Sequence, residues 1–308
     1  MTTTTTSAAP SPAQQWSEGW ARGFSQIFFQ TNTFSALIIL AAFAVADWRM
    51  ALLALVGALF GAVGGFLCRF PLSSVHLGMQ SFCGALVGAA VFTALGAGTW
   101  QPWALTAVGG LATGPVTWVI NWLFTRTGLS RFELPYTTAP FCLVATVAVV
   151  STRSLDLPAA ASPKFDQVWL SFGSSILTNV SQVVLIDNLW SGALILVALF
   201  VAGWRVGAAA VLGSVLGTLV NLGMGEDISR VGNGLIGYSG VLTAIALTSV
   251  FLKSSRASWL YALPWIVVTA VVTVMMERAG LMTYTWPYIL TTWVALIVAH
   301  FLGGLKRT

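Results

Sequence analysis

The chain has 308 residues, of which 57% are hydrophobic and only 7% are charged. Soluble domains carry about 25% charged residues, so this composition excludes a water-soluble globular protein and indicates an integral membrane protein. The 14 basic residues give a net charge of +5 but are dispersed, with no run longer than Lys306-Arg307 and no aromatic interleaving. This pattern argues against nucleic acid as a partner and favours loop charges that orient a membrane protein.

Ten apolar segments follow a low-complexity start. Residues 1–15 lack the basic and apolar regions of a signal peptide and are predicted to form a disordered tail. The apolar runs are continuous rather than alternating, which predicts membrane-spanning helices instead of strands. The predicted spans cover about 32–46, 49–68, 76–97, 102–124, 135–152, 188–202, 205–224, 232–252, 259–276 and 283–303. The polar stretch 153–167 separates two groups of five and is predicted to be a loop.

The two groups of segments are copies of one unit. A shift of 156 residues lays 25–49 on 181–205 with eleven identities in 25 positions. Chance similarity between apolar helices can supply the aliphatic matches, but not Ser-Gln, Asn and Trp-Arg in register. A shorter offset of 147 pairs TTAPF (137–141) with YTWPY (284–288). We therefore expect a first membrane repeat over 16–152 and a second over 168–308.

An odd number of spans in each repeat predicts that the second repeat lies upside down relative to the first. Inverted repeats place the functional site near the midplane, where the halves meet. With the N-terminus inside, nine basic residues fall on the inner side and five on the outer side. This bias predicts cytoplasmic N- and C-termini. We expect a plasma membrane, more specifically a bacterial inner membrane, although the sequence also fits a eukaryotic membrane.

A short apolar segment precedes the first span of each repeat, at 23–30 and 177–186. Neither segment is long enough to cross alone, so each is predicted to be a re-entrant half-helix that lines a protein cavity. Gln26 and Gln182 recur at equivalent places on these segments. Their symmetry favours a shared role in a pore, although each amide could instead brace a neighbouring helix.

The repeated segments resemble the urea transporter family over about residues 16–303. The resemblance rests on GFSQIFFQTNTFSALIIL and VSQVVLIDNLWSGALILVAL, on LGMQSFCGALVGAA and GLIGYSGVLTAIAL, and on LPYTTAPF and LMTYTWPY. It implies an all-α integral membrane protein with two inverted repeats of five helices, each with a pore half-helix. It also implies a homotrimer in membrane lipid, one pore per subunit and passive permeation of urea, without cofactor or metal.

Ten pore residues follow from the resemblance, and they pair across the repeats. They are the amides Gln26 and Gln182, the central hydroxyls Thr138 and Thr285, the walls Phe29 and Phe82 with their partners Leu185 and Tyr238, and the apolar flanks Leu86 and Leu242. The chain departs from the family pattern at five positions, one of which is Leu185 in place of an aromatic residue. Thr33 and Leu189 replace prolines, and Cys83 and Ser239 replace asparagines, which affects the expected substrate preference.

These residue types suit urea, which is planar and neutral and carries four N–H donors and one carbonyl acceptor. Removing its water leaves those donors unsatisfied unless other oxygens replace it. Glutamine carbonyls, threonine hydroxyls and backbone carbonyls can supply such oxygens, and aromatic faces form a flat slot. Ions fail the same filter, since shedding their hydration costs far more and no charge compensates. The threonines could alternatively bond the carbonyl one helical turn back.

Three other functions compete with a passive urea channel. An ion-coupled transporter needs ionisable groups within the bilayer, yet all nine acidic residues fall in loops or at predicted span ends. A facilitator of the same fold for ammonia or short amides remains the main alternative. A membrane enzyme is disfavoured, because the sequence shows no metal-binding cluster, nucleophile–base set or phosphate loop. The three cysteines, Cys68, Cys83 and Cys142, are predicted to be small packing residues.

Overall fold

The computed structural model describes residues 12–155 and 162–308, and side chains from Gln15 onwards. Within these residues the chain forms fourteen α-helices and no strand. The first seven are α1 Pro12–Gln26, α2 Thr33–Ala46, α3 Trp48–Leu67, α4 Leu72–His76, α5 Ser81–Leu95, α6 Gln101–Arg126 and α7 Ala139–Ser151. The other seven are α8 Val168–Gln182, α9 Leu189–Ala202, α10 Trp204–Gly223, α11 Ile228–Gly232, α12 Tyr238–Ile245, α13 Arg256–Arg278 and α14 Trp286–Phe301.

Ten apolar helices lie at the ten predicted spans, which confirms an all-α integral membrane protein. Four of them, α3, α6, α10 and α13, have 20 to 26 residues and are long and apolar enough to cross a bilayer. The other six have 13 to 16 residues, counting α12 together with the π-helical turn Ala246–Val250 that continues it. At 1.5 Å per residue these six helices are only about 20–24 Å long. Each of them has fewer residues than the span predicted for it.

The sequence repeat is reproduced by the helix boundaries. An offset of 156 residues carries the bounds of α1, α2, α3 and α4 onto those of α8, α9, α10 and α11. The caps repeat as well, because Asn32 and Asn188 accept hydrogen bonds from the backbone N–H of Ser35 and Ser191. One cap differs: Asp47 caps α3 through its side chain, whereas Gly203 stands at the start of α10.

Two reciprocal hydrogen bonds show that the repeats are inverted. The hydroxyl of Ser35 on α2 donates to the carbonyl of Ala198 on α9 at 2.7 Å. The hydroxyl of Ser191 on α9 donates to the carbonyl of Ala42 on α2 at 2.8 Å. These bonds are exchanged by the repeat, so a two-fold axis relates the halves. Residue numbers rise along one helix as they fall along the other, so α2 and α9 run antiparallel.

The half-helices begin and end earlier than predicted. The segments 23–30 and 177–186 contain only the last turns of α1 and α8, which end at Gln26 and Gln182. The residues that follow form a turn. Residues 12–15, assigned to the tail, belong to the first turns of α1, while 1–11 lie outside the described residues. Of the loop predicted at 153–167, residues 156–161 lie outside them too.

Glycines allow the helices of each repeat to pack backbone against backbone. A Cβ on Gly57 of α3 would lie 2.1 Å from the carbonyl oxygen of Gly84 on α5, and a Cβ on Gly84 would lie 2.0 Å from that of Gly57. In the second repeat a Cβ on Gly213 would lie 2.4 Å from the carbonyl oxygen of Gly240. Small residues drive helix association in membranes, so these crossings hold the core of each repeat together.

We expect Gly57→Ala to lower the melting temperature of the purified protein clearly, because the new methyl group forces α3 away from α5. Overpacking of this kind costs about 1–3 kcal/mol. The measurement is the melting temperature, taken from the amount of protein that stays in the size-exclusion peak after heating to a series of temperatures. Gly98→Ala is the matched control, since nothing lies within 4 Å of its added Cβ. Equal melting temperatures for both variants would show that the α3–α5 crossing tolerates a side chain.

Candidate permeation site

The site forms where α7 and α14 begin. Each of these helices has a proline in its first turn, Pro140 or Pro287, which suits a helix start because proline lacks an N–H. Each is preceded by a residue with positive φ, Thr137 at 50° and Tyr284 at 35°. A threonine then occupies the N-cap position, and its side chain makes no capping hydrogen bond. The repeated local sequence therefore places Thr138 and Thr285 at two equivalent helix N-termini.

The two cap threonines meet. The Oγ1 atoms of Thr138 and Thr285 are 2.6 Å apart, and both side chains are buried. Because the two residues are repeat partners in contact, the two-fold axis of the molecule passes between them. For inverted repeats this axis lies in the membrane plane, so the threonine pair is at mid-depth. The positive ends of the α7 and α14 dipoles converge there.

The two threonine hydroxyls bond each other across the repeats. Among the described residues, they do not bond the backbone carbonyl one helical turn back, which was the alternative expected from the sequence. The sequence did not predict that Cys142 lies next to this pair. The Sγ atom of Cys142, one turn beyond Thr138 on α7, lies 3.1 Å from Oγ1 of Thr285. Cys142 follows Thr138 by four residues, so the sequence places it one helical turn away and could have indicated the contact. Its repeat partner is Ile289, so a search for symmetric polar pairs does not find it.

The glutamine amides are held in the same way in both repeats. Nε2 of Gln26 donates to the carbonyl of Leu77 at 2.9 Å, and Nε2 of Gln182 donates to the carbonyl of Asn233 at 3.2 Å. A backbone carbonyl can only accept, so the NH₂ group must face it and the side-chain oxygen must face away. Each glutamine thus braces a neighbouring segment through its nitrogen, and its side-chain oxygen accepts no hydrogen bond from the residues that the structure describes.

Phe29 and Leu185 occupy a strained backbone position just after α1 and α8. Both have φ of 62°, and their N–H groups bond the carbonyls of Gln26 and Gln182. A bulky residue rarely adopts positive φ, so the fold holds these side chains in place at an energetic cost. The ring of Phe29 lies 5.8 Å from that of Tyr288 and 5.7 Å from that of Phe251.

The other predicted wall positions differ between the repeats. Phe82 stacks on Tyr136, with ring centroids 6.3 Å apart and planes at 15°. Its partner Tyr238 instead donates its hydroxyl to the carbonyl of Tyr284. The predicted flanks, Leu86 and Leu242, are fully buried on α5 and α12.

A carboxylate lies near Tyr238, on the far side of Thr283. The hydroxyl of Tyr238 lies 3.5 Å from Oγ1 of Thr283, and Thr283 donates to Oε1 of Glu277 at 2.8 Å. The other oxygen of Glu277 bonds Nη2 of Arg230 at 2.7 Å. The carboxylate is therefore paired with a guanidinium at the end of α13.

Several buried hydroxyls in these segments make no hydrogen bond of standard geometry among the described residues, including Ser239 on α12 and Thr292 on α14. The hydroxyls of Thr137, beside the threonine pair, and Tyr288, one turn along α14, face each other. Ser239 stands where the family pattern expects asparagine, and its partner Cys83 directs its thiol at the carbonyl of Thr137 at 3.8 Å. Buried polar groups are normally satisfied, so the hydroxyl of Ser239 is a candidate for contact with a permeating solute or water.

Comparison with known proteins gives a consistent match over most of the chain. A sequence model of the family described as "Urea transporter" matches residues 18–300. The chain is 28% identical over 291 residues to urea transporter 1 of Rattus norvegicus, covering 90% of this chain and 75% of that protein. It is 26% identical over 301 residues to urea transporter 1 of Ovis aries, covering 93% and 78%. The chain belongs to the urea transporter family.

Proposed function

We propose that this protein conducts urea and closely similar small neutral amides passively across the membrane. The observation that supports this best is the pair Thr138 and Thr285, which meets on the two-fold axis at mid-depth. The free carbonyl oxygens of Gln26 and Gln182 lie on segments related by that same axis. Family membership supports urea as the solute.

The groups near the axis can replace the water of urea with uncharged partners. Glutamine carbonyls accept N–H groups, and each threonine hydroxyl can accept one N–H or donate to the urea oxygen. The converging N-termini of α7 and α14 favour the negative end of the urea dipole at mid-depth. A solute that bonds both threonines takes the place of their mutual hydrogen bond, so both hydroxyls stay hydrogen-bonded as it passes.

The charges of the described residues support a passive mechanism. Glu277, the carboxylate that accepts a hydrogen bond from Thr283, is paired with Arg230 at 2.7 Å. An ion-coupling carboxylate would have to bind and release its cation inside the bilayer, whereas this one is already neutralised by a fixed partner. Bare ions would find only hydroxyls and amides at the axis and would not recover their hydration energy.

Assembly and orientation form part of the same proposal. We infer a homotrimer with one pathway in each subunit, embedded in lipid, with membrane repeats over 16–152 and 168–308. The nine-to-five bias of basic residues supports cytoplasmic termini, and we place the protein in a plasma membrane, specifically a bacterial inner membrane.

Solute selectivity distinguishes this proposal from the same fold serving another solute. Proteoliposomes and empty liposomes are mixed with osmotically matched urea, formamide, acetamide or ammonium chloride, and swelling or internal pH is followed by stopped flow. We expect urea to give the largest protein-dependent permeability, with acetamide lower because a methyl group replaces one NH₂. Ammonia permeability exceeding that of urea would favour the alternative facilitator and overturn the proposal.

A further inference from the structure

An open cleft of about 560 Å³ lies between the starts of α10 and α13, away from the threonine pair. Its lining combines two arginines, two tryptophans and two serines, and it contains no acidic residue: Trp204, Arg205, Ala208, Ser254, Ser255, Arg256, Trp259 and Leu260. This composition joins positive charge to aromatic and aliphatic surface.

Within 12–155 and 162–308, no acidic side chain neutralises the two arginines of the cleft. Arg205 and Arg256 are exposed and take part in no ion pair among the described residues. The first turn of α13 adds the positive end of a 23-residue helix, and Ser255 caps it. The guanidinium of Arg205 lies 5.4 Å from the centre of the Trp204 ring, which holds it at the rim.

The inverted repeat supplies an internal comparison. Arg49 is the repeat partner of Arg205, and it binds Asp47 with Nη2 at 2.7 Å from Oδ2. The Arg49 side chain lowers the pKa of the Asp47 carboxyl, mainly through the side-chain hydrogen bond. The second repeat has Gly203 in place of Asp47, so Arg205 keeps its charge available. The carboxylate that occupies the arginine in one repeat is missing from the other.

We propose that this cleft binds the phosphate headgroup of an anionic phospholipid from the surrounding bilayer. Arginine pairs strongly with phosphate, and tryptophan prefers the level of the headgroups. Trp204 and Leu260, each 67% exposed, offer apolar surface for the start of the acyl chains. The orientation inferred from the basic residues puts the cleft on the cytoplasmic side, where anionic lipids attract basic clusters.

Lipid binding is measured by native mass spectrometry of the purified protein, titrated with phosphatidylglycerol or phosphatidylcholine in detergent. We expect preferential binding of phosphatidylglycerol, and about a fivefold loss of that affinity in Arg205→Gln and in Arg256→Gln. Arg49→Gln is the matched control and should keep the wild-type affinity, because Asp47 already occupies that arginine.

Gly203→Asp is the more specific test, because it introduces beside Arg205 the carboxylate that Asp47 provides in the first repeat. The backbone of Gly203 is extended, with φ of 174°, and its added Cβ meets only Val206 at 3.6 Å, so the side chain is accommodated. We expect Gly203→Asp to weaken phosphatidylglycerol binding as much as Arg205→Gln does, while the neutral Gly203→Asn keeps it.

Three results would overturn the proposal. Equal phosphatidylglycerol affinity in Arg205→Gln, Gly203→Asp and wild type would exclude the cleft as the lipid site. Competition by millimolar inorganic phosphate that removes the lipid completely would show a simple anion site without a contribution from the acyl chains. A change in subunit number in Arg205→Gln, seen in both lipids, would show that the cleft is instead a contact between copies of the chain.

Discussion

Thr138→Val is expected to reduce urea permeability per assembled protein by about one to two decades. The substitution preserves the shape of the side chain but removes one of the two hydroxyls that meet at 2.6 Å on the two-fold axis. A urea N–H or oxygen then finds no partner at mid-depth, and one unsatisfied buried group costs about 1–3 kcal/mol on the barrier. Thr285→Val should have a similar effect, because the two residues are related by symmetry.

The threonine prediction has two controls. Thr138→Ser retains the hydroxyl and should keep most of the flux. Thr113→Val removes a buried threonine hydroxyl on α6 that donates to the carbonyl of Gly110 one turn back, and its urea flux should stay near wild type. The double variant Thr138→Val/Thr285→Val should lose less than the sum of the two single effects, since the pair acts as a unit. Undiminished flux in both single variants would exclude the pair from the rate-limiting part of the pathway.

Gln182→Met is the second large expected effect. Methionine matches the length of glutamine but removes both the free carbonyl oxygen and the N–H donor that holds the carbonyl of Asn233. Loss of the oxygen should lower urea permeability by about one to two decades, and loss of the brace should lower the melting temperature as well. Gln26→Met should act in the same direction through Leu77.

A comparison with the buried amide of Asn221 separates the effect of the lost oxygen on urea flux from the effect of the lost N–H donor on stability. Asn221 on α10 is fully buried and has no partner for its side-chain atoms among the described residues. Asn221→Leu should leave urea flux per assembled protein unchanged, because Asn221 is not among the groups placed around the axis. If Gln182→Met reduces the melting temperature while its flux per assembled protein equals wild type, the glutamine braces the fold and does not contact the solute.

The repeat made most of the architecture predictable. Offsets of 156 and 147 residues, read from matches such as Ser-Gln and Trp-Arg, anticipated the bounds of paired helices, and the odd number of spans anticipated the inversion seen between α2 and α9. The start of α1 was not predictable from apolar runs. Its sequence, PAQQWSEGWARGFSQ, is mixed in polarity and lacks the continuous apolar stretch that identifies a span.

The additional site residues escaped prediction for a different reason. Cys142, Tyr288 and Ser239 have repeat partners of other chemistry, namely Ile289, Phe141 and Cys83, so a search for symmetric polar residues passes over them. Their proximity to the axis depends on how α7, α12 and α14 meet, which no local pattern encodes. The buried hydroxyl of Ser239, which has no partner among the described residues, is recognisable only from burial and hydrogen bonding.

Passive conduction is tested most directly by urea influx into proteoliposomes under controlled gradients. Radiolabelled urea is added with the proton, sodium and electrical gradients either collapsed by ionophores or imposed in each direction. The arrangement of uncharged groups at the axis, with Glu277 held by Arg230, predicts the same initial influx in every condition and an end point at equal urea concentrations. Influx that follows an imposed proton or sodium gradient, or urea accumulated above the external concentration, would contradict a passive channel.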